Sequence, residues 1–248
     1  MLFTIIGFSL LGSVGTVLVA GIFLLFPDRT RHVLLPILLS FATGSLLGAA
    51  FLGLLPQALS ELPPSHLFPV LVGGILLFFI LEKLVVYRHC HDEECEVHRG
   101  AGLLILVGDG FHNFVDGAII SGAFLTSYPL GVMTALAIIS HEIPQEVGDF
   151  AILIQSGYQR LRAFFLNQLS GLGTIVGALS AYFFLKEIHS VLPYLMVIAA
   201  SSFIYVSTVD LIPALHKRAS LGEAVRQIVF ILLGIGSVVG MHFLRDHT

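Results

Sequence analysis

Charge is what this chain has least of. Only 11% of its 248 residues are Asp, Glu, Lys or Arg, against roughly 25% in a soluble domain. Tryptophan is absent, and the two cysteines, Cys90 and Cys95, lie in one short polar stretch, which excludes a disulfide framework. The net charge is −4, and with so few basic residues nucleic-acid binding is excluded. What fills the chain is apolar: 56% hydrophobic residues, mean hydropathy +0.95. This is the composition of an all-α polytopic membrane protein, with residues 1–248 forming one membrane domain. The stretch Met1–Phe26 lacks a basic leader and exceeds a signal-peptide core. It reads as a retained first span.

A span needs about 20 apolar residues. Eight transmembrane helices are predicted, at about 2–26, 33–58, 67–87, 101–126, 130–156, 163–185, 191–214 and 223–244. An even number puts both termini on one side. With the termini extracytoplasmic, Arg29, Arg31, Lys83, Arg88, Arg99, Arg160, Arg162, Lys217, Arg218 and Arg226 fall at the cytoplasmic side, leaving only Lys186 and Arg245 of the 12 basic residues outside. That asymmetry is the positive-inside pattern, and dropping one span would scramble it. Small residues recur at helix-packing spacing, Gly44 with Gly48, Gly173 with Gly177, and Gly236 with Gly240, so a compact bundle is expected.

Two of the apolar segments carry polar side chains where a lipid-facing helix tolerates none. The fourth contains Asp109, His112, Asn113 and Asp116; the fifth contains His141, Glu142, Gln145, Glu146 and Asp149. A charged group at the bilayer centre costs at least about 2.5–3.5 kcal/mol, so these groups must face a bundle interior, pair, or hold an ion. His112 and Asp116 are i,i+4, as are His141 and Gln145, and Glu142 and Glu146, so each pair shares a helix face. At 1.5 Å per residue, His112 and Asp116 lie roughly 16–22 Å from the inner end of the fourth span, and the fifth-span cluster sits at similar depth. Asp109 and Asp149 lie nearer the cytoplasm, and together they outline a polar route inward. Pro144 should free the carbonyl of Ser140 and kink the fifth span beside His141. Imidazole with carboxylate and no thiolate suits zinc, iron, manganese or nickel.

The inner loop, residues 88–100, concentrates His89, Cys90, His91, Cys95 and His98. Its spacing is not that of a zinc finger. It reads either as a solvated charged loop or as a weak cytoplasmic metal-binding loop.

At the fourth-span His-Asn-x-x-Asp-Gly and the fifth-span His-Glu-x-Pro-x-Glu-x-Gly-Asp the chain resembles the ZIP divalent metal transporters, in particular the branch whose fifth-span signature is HExPHExGD. Leu-Leu-Pro-Gln-Ala (54–58), Leu-Glu-Lys-Leu (81–84) and Phe-Ile-Tyr-Val-Ser-Thr-Val-Asp-Leu-Ile-Pro (203–213) extend the resemblance along nearly the whole chain. The resemblance implies eight spans, outer termini, an inverted repeat relating the first and last three spans, a homodimer, and a two-metal centre between spans four and five. By position, one site would use His112, Asp116, His141 and Gln145, and its neighbour Asn113, Glu142 and Gln145. Asp109, Glu146, Asp149 and Asp210 would line the transport path. The chain departs from that branch at Gln145, where the pattern has His, and at Gly53, where it often has His. A neutral amide bridges metals poorly, so one tight and one weak or empty site is expected.

The function so implied is transport of divalent transition metal toward the cytoplasm, with zinc as the first choice and iron, manganese or cadmium as others. The ion is a substrate, no organic cofactor is required, and the plasma (inner) membrane is the expected location, with lipid as surroundings. A membrane-embedded metallohydrolase is the alternative. It fails at Gln145, where a zinc protease helix needs the second histidine of HExxH. A structural or receptor-like protein with a polar core is the third reading. Because the His/Cys loop lies off the membrane path, Ser at Cys90, Cys95 and the neighbouring histidines is predicted to change metal uptake by cells only modestly. Complete loss of uptake with normal expression would reverse that ranking.

Overall fold

A computed structural model describes residues 1–87, 97–185, 189–216 and 220–245. Within them every regular element is helical. Helix α1 runs over Leu2–Phe23, with a wide π-turn at Leu11–Gly15. Helix α2 runs over Asp28–Gly48, passes through a π-turn at Ala49–Leu54 and ends with Leu55–Leu59. Helices α3 (Pro64–Tyr87), α4 (Val97–Thr126) and α5 (Tyr128–Gln155) follow. Helix α6 is in two pieces, Arg160–Gly171 and Gly173–Leu185, interrupted at Leu172. Helix α7 comprises Leu192–Tyr205, a π-turn at Val206–Leu211 and Ile212–His216. Helix α8 is Leu221–Arg245.

Six of these, α1, α2, α3, α6, α7 and α8, are long and apolar enough to cross a membrane. The remaining two, α4 and α5, carry the polar residues named above, and those residues dilute their apolar character. Several helices begin earlier than the apolar runs suggest, because backbone hydrogen bonding continues into the polar flanks. At α8 the signal is local. The Ser220 hydroxyl accepts from the Glu223 N–H at 3.3 Å and meets the Glu223 carboxylate at 3.1 Å, so Ser-Leu-Gly-Glu starts the helix two residues before the predicted boundary. Ser127 likewise caps α5, accepting from Leu130 N–H at 3.3 Å with Pro129 in the first turn. The 88–100 segment is not all loop, since α4 starts at Val97 and His98 stands on helical backbone. His89, Cys90, His91 and Cys95 lie outside the described residues.

Helix α5 continues without a break across Pro144. The interruptions fall elsewhere. The π-turns of α2 and α7 are each followed at once by Leu55-Pro56 and Ile212-Pro213. Proline has no N–H for the preceding turn, and a widened turn accommodates that loss.

The pairing of helices has an internal symmetry. Helix α2 packs along α8, and α7 along α3; α1 packs on α5, and α6 on α4; α2 also meets α5, while α7 meets α4. Exchanging the first three helices with the last three, and α4 with α5, reproduces the same set. This is the pairing an inverted repeat requires, and the matched π-turns of α2 and α7 obey it too.

Glycine permits the closest of these contacts. A Cβ on Gly44 or Gly234 would run into the facing backbone of α8 or α2, and one on Gly117 or Gly177 into the facing backbone of α6 or α4. The third predicted pair behaves differently: Gly236 and Gly240 have nothing within 4 Å and face outward. The apolar core, including Leu46, Leu54, Ile120, Phe124, Ile138, Val197 and Phe203, lies between α2, α4, α5 and α7. It closes off the end of the α4–α5 pair nearest their connecting turn.

Gly177→Val should therefore lower stability by about 1–3 kcal/mol or more, as overpacking does, whereas Gly236→Ala should be near neutral. Thermal unfolding of the two purified variants in detergent distinguishes them. Equal effects would show that the α4–α6 contact is not the tight one.

Candidate metal centre

The i,i+4 spacing places His112 above Asp116 on α4, while His141 and Glu142 are neighbours on α5. Packing of α4 on α5 brings all four together, with one ligand atom from each within 4.8 Å of every other. Five of the six separations in this group are nearly equal. His112 Nε2 lies 3.2 Å from His141 Nε2, 3.7 Å from Asp116 Oδ2 and 3.5 Å from Glu142 Oε1. His141 Nε2 lies 3.2 Å from Asp116 Oδ2 and 3.4 Å from Glu142 Oε1. A tetrahedral zinc with bonds of about 2.0–2.1 Å has ligand atoms about 3.3–3.4 Å apart. Five of the donor-atom separations thus match those around a tetrahedral zinc.

The donors are also prepared to face a cation. The His141 ring sets Nδ1 3.3 Å from the carbonyl of Ala137, so Nδ1 carries the proton and the Nε2 lone pair points at the cluster. Both carboxylate oxygens of Asp116 and both of Glu142 are buried without a hydrogen-bond donor. Buried acceptors left without donors are costly, and a positive ion among them removes the cost. His141, Asp116 and Glu142 are at most 1% exposed, whereas the His112 side chain is 18% exposed. His112 therefore forms the accessible wall.

A second cluster shares Glu142. Asp109, Glu142 and Glu146 each offer an oxygen within 4.8 Å of the others, and Asp109 Oδ2 and Glu146 Oε1 have no donor. This grouping differs from the one implied by the motif. Glu142 stands in the histidine-bearing cluster as well as the second, and Glu146 and Asp109 join it in the second. The amides serve the carboxylates. Asn113 donates to Asp109 Oδ1 at 3.0 Å, and Gln145 donates to the same oxygen at 3.3 Å. Asp149 is half-buried one turn beyond Gln145, and Asp210 is exposed on the π-turn of α7, in neither cluster. At Gly53 the space a side chain would fill is occupied by the end of Met133.

Sequence reasoning missed α6. Asn167, fully buried, donates from Nδ2 to Glu146 Oε2 at 2.5 Å and to its carbonyl at 3.3 Å. Thr174 Oγ1 donates to Asn113 Oδ1 at 2.7 Å. The available signal was the polar set Asn167, Gln168, Ser170 and Thr174 inside a predicted span, beside the glycines that bring that span close.

Residues 87–242, more than half of the chain, match the family model described as ZIP zinc transporter. The chain belongs to the ZIP zinc transporter family. Among its relatives, the zinc transporter ZIP13 homolog of Drosophila melanogaster is 29% identical over 97% of this chain and 90% of its own length. Zinc transporter SLC39A7 of Mus musculus is 30% identical, over 92% and 68% respectively. Zinc transporter ZIP13 of Pongo abelii is 32% identical, over 80% and 64%. These are transporters rather than enzymes, and the hydrolase alternative finds no support among them. The protein is an integral membrane protein of this family.

Because Glu142 belongs to both clusters, Glu142→Ala should weaken zinc binding at each, by at least about tenfold given the loss of a charged ligand. Calorimetry on detergent-purified protein measures it. A variant that keeps one zinc bound as tightly as the wild type would show that Glu142 serves a single cluster.

Proposed function

We propose that the protein carries zinc across a membrane toward the cytoplasm, binding the ion at the centre formed by His112, Asp116, His141 and Glu142. The observation that carries this reading is the set of five separations of 3.2–3.7 Å that link four donor atoms on two helices. Two imidazoles and two carboxylates neutralise a divalent ion and match zinc's ligand chemistry. Iron, manganese and cadmium are the competing ions, since this donor set does not exclude them.

On this reading α4 and α5 are membrane spans, giving eight, and their polar faces are tolerated because they face each other and an ion rather than lipid. The two ends of the α4–α5 pair differ. Toward their connecting turn the centre is covered by Ile119, Ile120, Phe124, Leu130, Met133 and Ile138, all buried. In the other direction Gln145 and Asp149 are half-buried and Gly148 is exposed. With the termini outside, as the distribution of basic residues favours, the sealed end is extracytoplasmic and the open end faces the cytosol. Asp109, Glu146 and Asp149 would then receive the ion leaving the centre. Affinity must stay moderate for it to leave, and the shared Glu142 offers a way to hand an ion from the histidine cluster to the oxygen-only cluster. The homodimer and the plasma membrane location rest on family resemblance.

Zinc uptake into proteoliposomes, with iron, manganese and cadmium in parallel, tests the proposal. His112→Ala and His141→Ala should each reduce uptake to near background while the protein remains monodisperse. Near-normal uptake in both variants would sink the assignment of the centre.

A further inference from the structure

The second cluster depends on the orientation of one amide, and that orientation is set from outside the α4–α5 pair. Asn113 is fully buried, and its Nδ2 faces two groups that can only accept, the Asp109 carbonyl at 3.1 Å and Asp109 Oδ1 at 3.0 Å. Its Oδ1 therefore needs a donor, and the Thr174 hydroxyl on α6 supplies one at 2.7 Å. Most helical hydroxyls in this protein bond back to their own helix, as Thr16, Ser40, Thr43, Ser45, Thr126 and Ser207 do. Thr174 crosses to a neighbouring helix instead. It can do so because Gly173 and Gly177 bring α6 against the backbone of Gly110 and Phe114, and because α6 is interrupted at Leu172, immediately before this segment.

The consequence passes along a chain of bonds. With Asn113 so turned, Asp109 Oδ1 receives N–H donors from both Asn113 and Gln145. Asp109 Oδ2 is left buried with no donor, and Asp109 belongs to the cluster with Glu142 and Glu146. If Asn113 turned over, its oxygen would face Asp109 and the carboxylate would lose that clamp.

We infer that Thr174 is a positioning residue of the second cluster: its hydroxyl fixes the Asn113 amide, and through it holds Asp109 ready to meet the ion with Oδ2. Asn113 supports Asp109 through its N–H while its oxygen accepts from Thr174. This rests on the reading of the α4–α5 centre as a zinc transport site. It adds a residue from a third helix that does not touch the ion.

The test uses zinc on the full-length protein, with Thr174→Val, which keeps the shape and removes the hydroxyl, and Thr174→Ser, which keeps the hydroxyl. Thr174→Val should weaken the second, looser zinc-binding step by roughly tenfold, the usual cost of losing a group that orients a ligand. It should raise the KM of zinc uptake more than it lowers kcat, and leave the first binding step unchanged. Thr174→Ser should restore wild-type values. If the Val variant is not monodisperse, Thr174→Ala replaces it, with the same expectation. Wild-type binding and KM in the hydroxyl-free variant would overturn the inference, and so would equal losses in Val and Ser variants, since packing rather than the hydroxyl would then matter. His141→Ala, measured alongside, separates the two claims. If it retains both binding steps, the transport site itself is misassigned; if it loses the first while Thr174→Val is neutral, only the role of Thr174 falls.

Discussion

Everything in this protein turns on burying carboxylates in an apolar interior while leaving many of their oxygens without hydrogen-bond donors. Asp116 and Glu142 have four oxygens in the protein interior with no donor, and Asp109 and Glu146 add one each. Such groups are too costly to leave uncompensated. Their retention makes sense in a protein whose substrate is a cation that spends part of its time among them. The same logic explains the amides. Asn113, Gln145 and Asn167 each spend an N–H on a carboxylate oxygen and leave another oxygen of that carboxylate toward the cluster. The centre is therefore a graded set: some oxygens are held by protein, others are left for the ion.

Holding that set in place demands close helix packing. In an apolar medium the hydrophobic effect does not press helices together, so small residues and shape do. Gly117 and Gly177 allow α4 and α6 to touch backbone to backbone, and Gly44 and Gly234 do the same for α2 and α8. The two contacts are unequal in function. The α2–α8 contact braces the outer part of the bundle. The α4–α6 contact brings Thr174 within hydrogen-bond reach of Asn113, so a packing device also positions a polar one. The pairings repeat when the two halves of the chain are exchanged, which surrounds the α4–α5 pair with similar scaffolds on both sides. His141 illustrates the coupling, since its ring lies 6.2 Å from that of Phe203 on α7 and movement of α7 would be felt at the ligand.

Sequence alone determined the class of protein, the helical fold, the approximate place of each long helix, and His112, Asp116, His141 and Glu142 as candidate ligands, but not their grouping. The reasons are physical. Long apolar runs allow helices in lipid, and a histidine four residues before an aspartate on a helix shares its face whatever the tertiary structure does. The His112–Asp116 pair was legible for that reason; His141 and Glu142, adjacent in sequence and on different faces, read as members of separate sites. Helix ends were less so, because backbone hydrogen bonding runs past the apolar stretch, although the Ser220–Glu223 cap was written in the sequence. Of three glycine pairs with the same spacing, two lie at helix contacts and one faces outward, since spacing gives a face but not what the face meets. Only the tertiary structure decided that Glu142 stands in both clusters, that Asn113 and Gln145 turn their N–H groups to Asp109, and that α6 supplies Asn167 and Thr174. Those facts depend on the rotation and depth at which α4, α5 and α6 meet, and neighbouring helices far apart in sequence leave no periodic signal of that register.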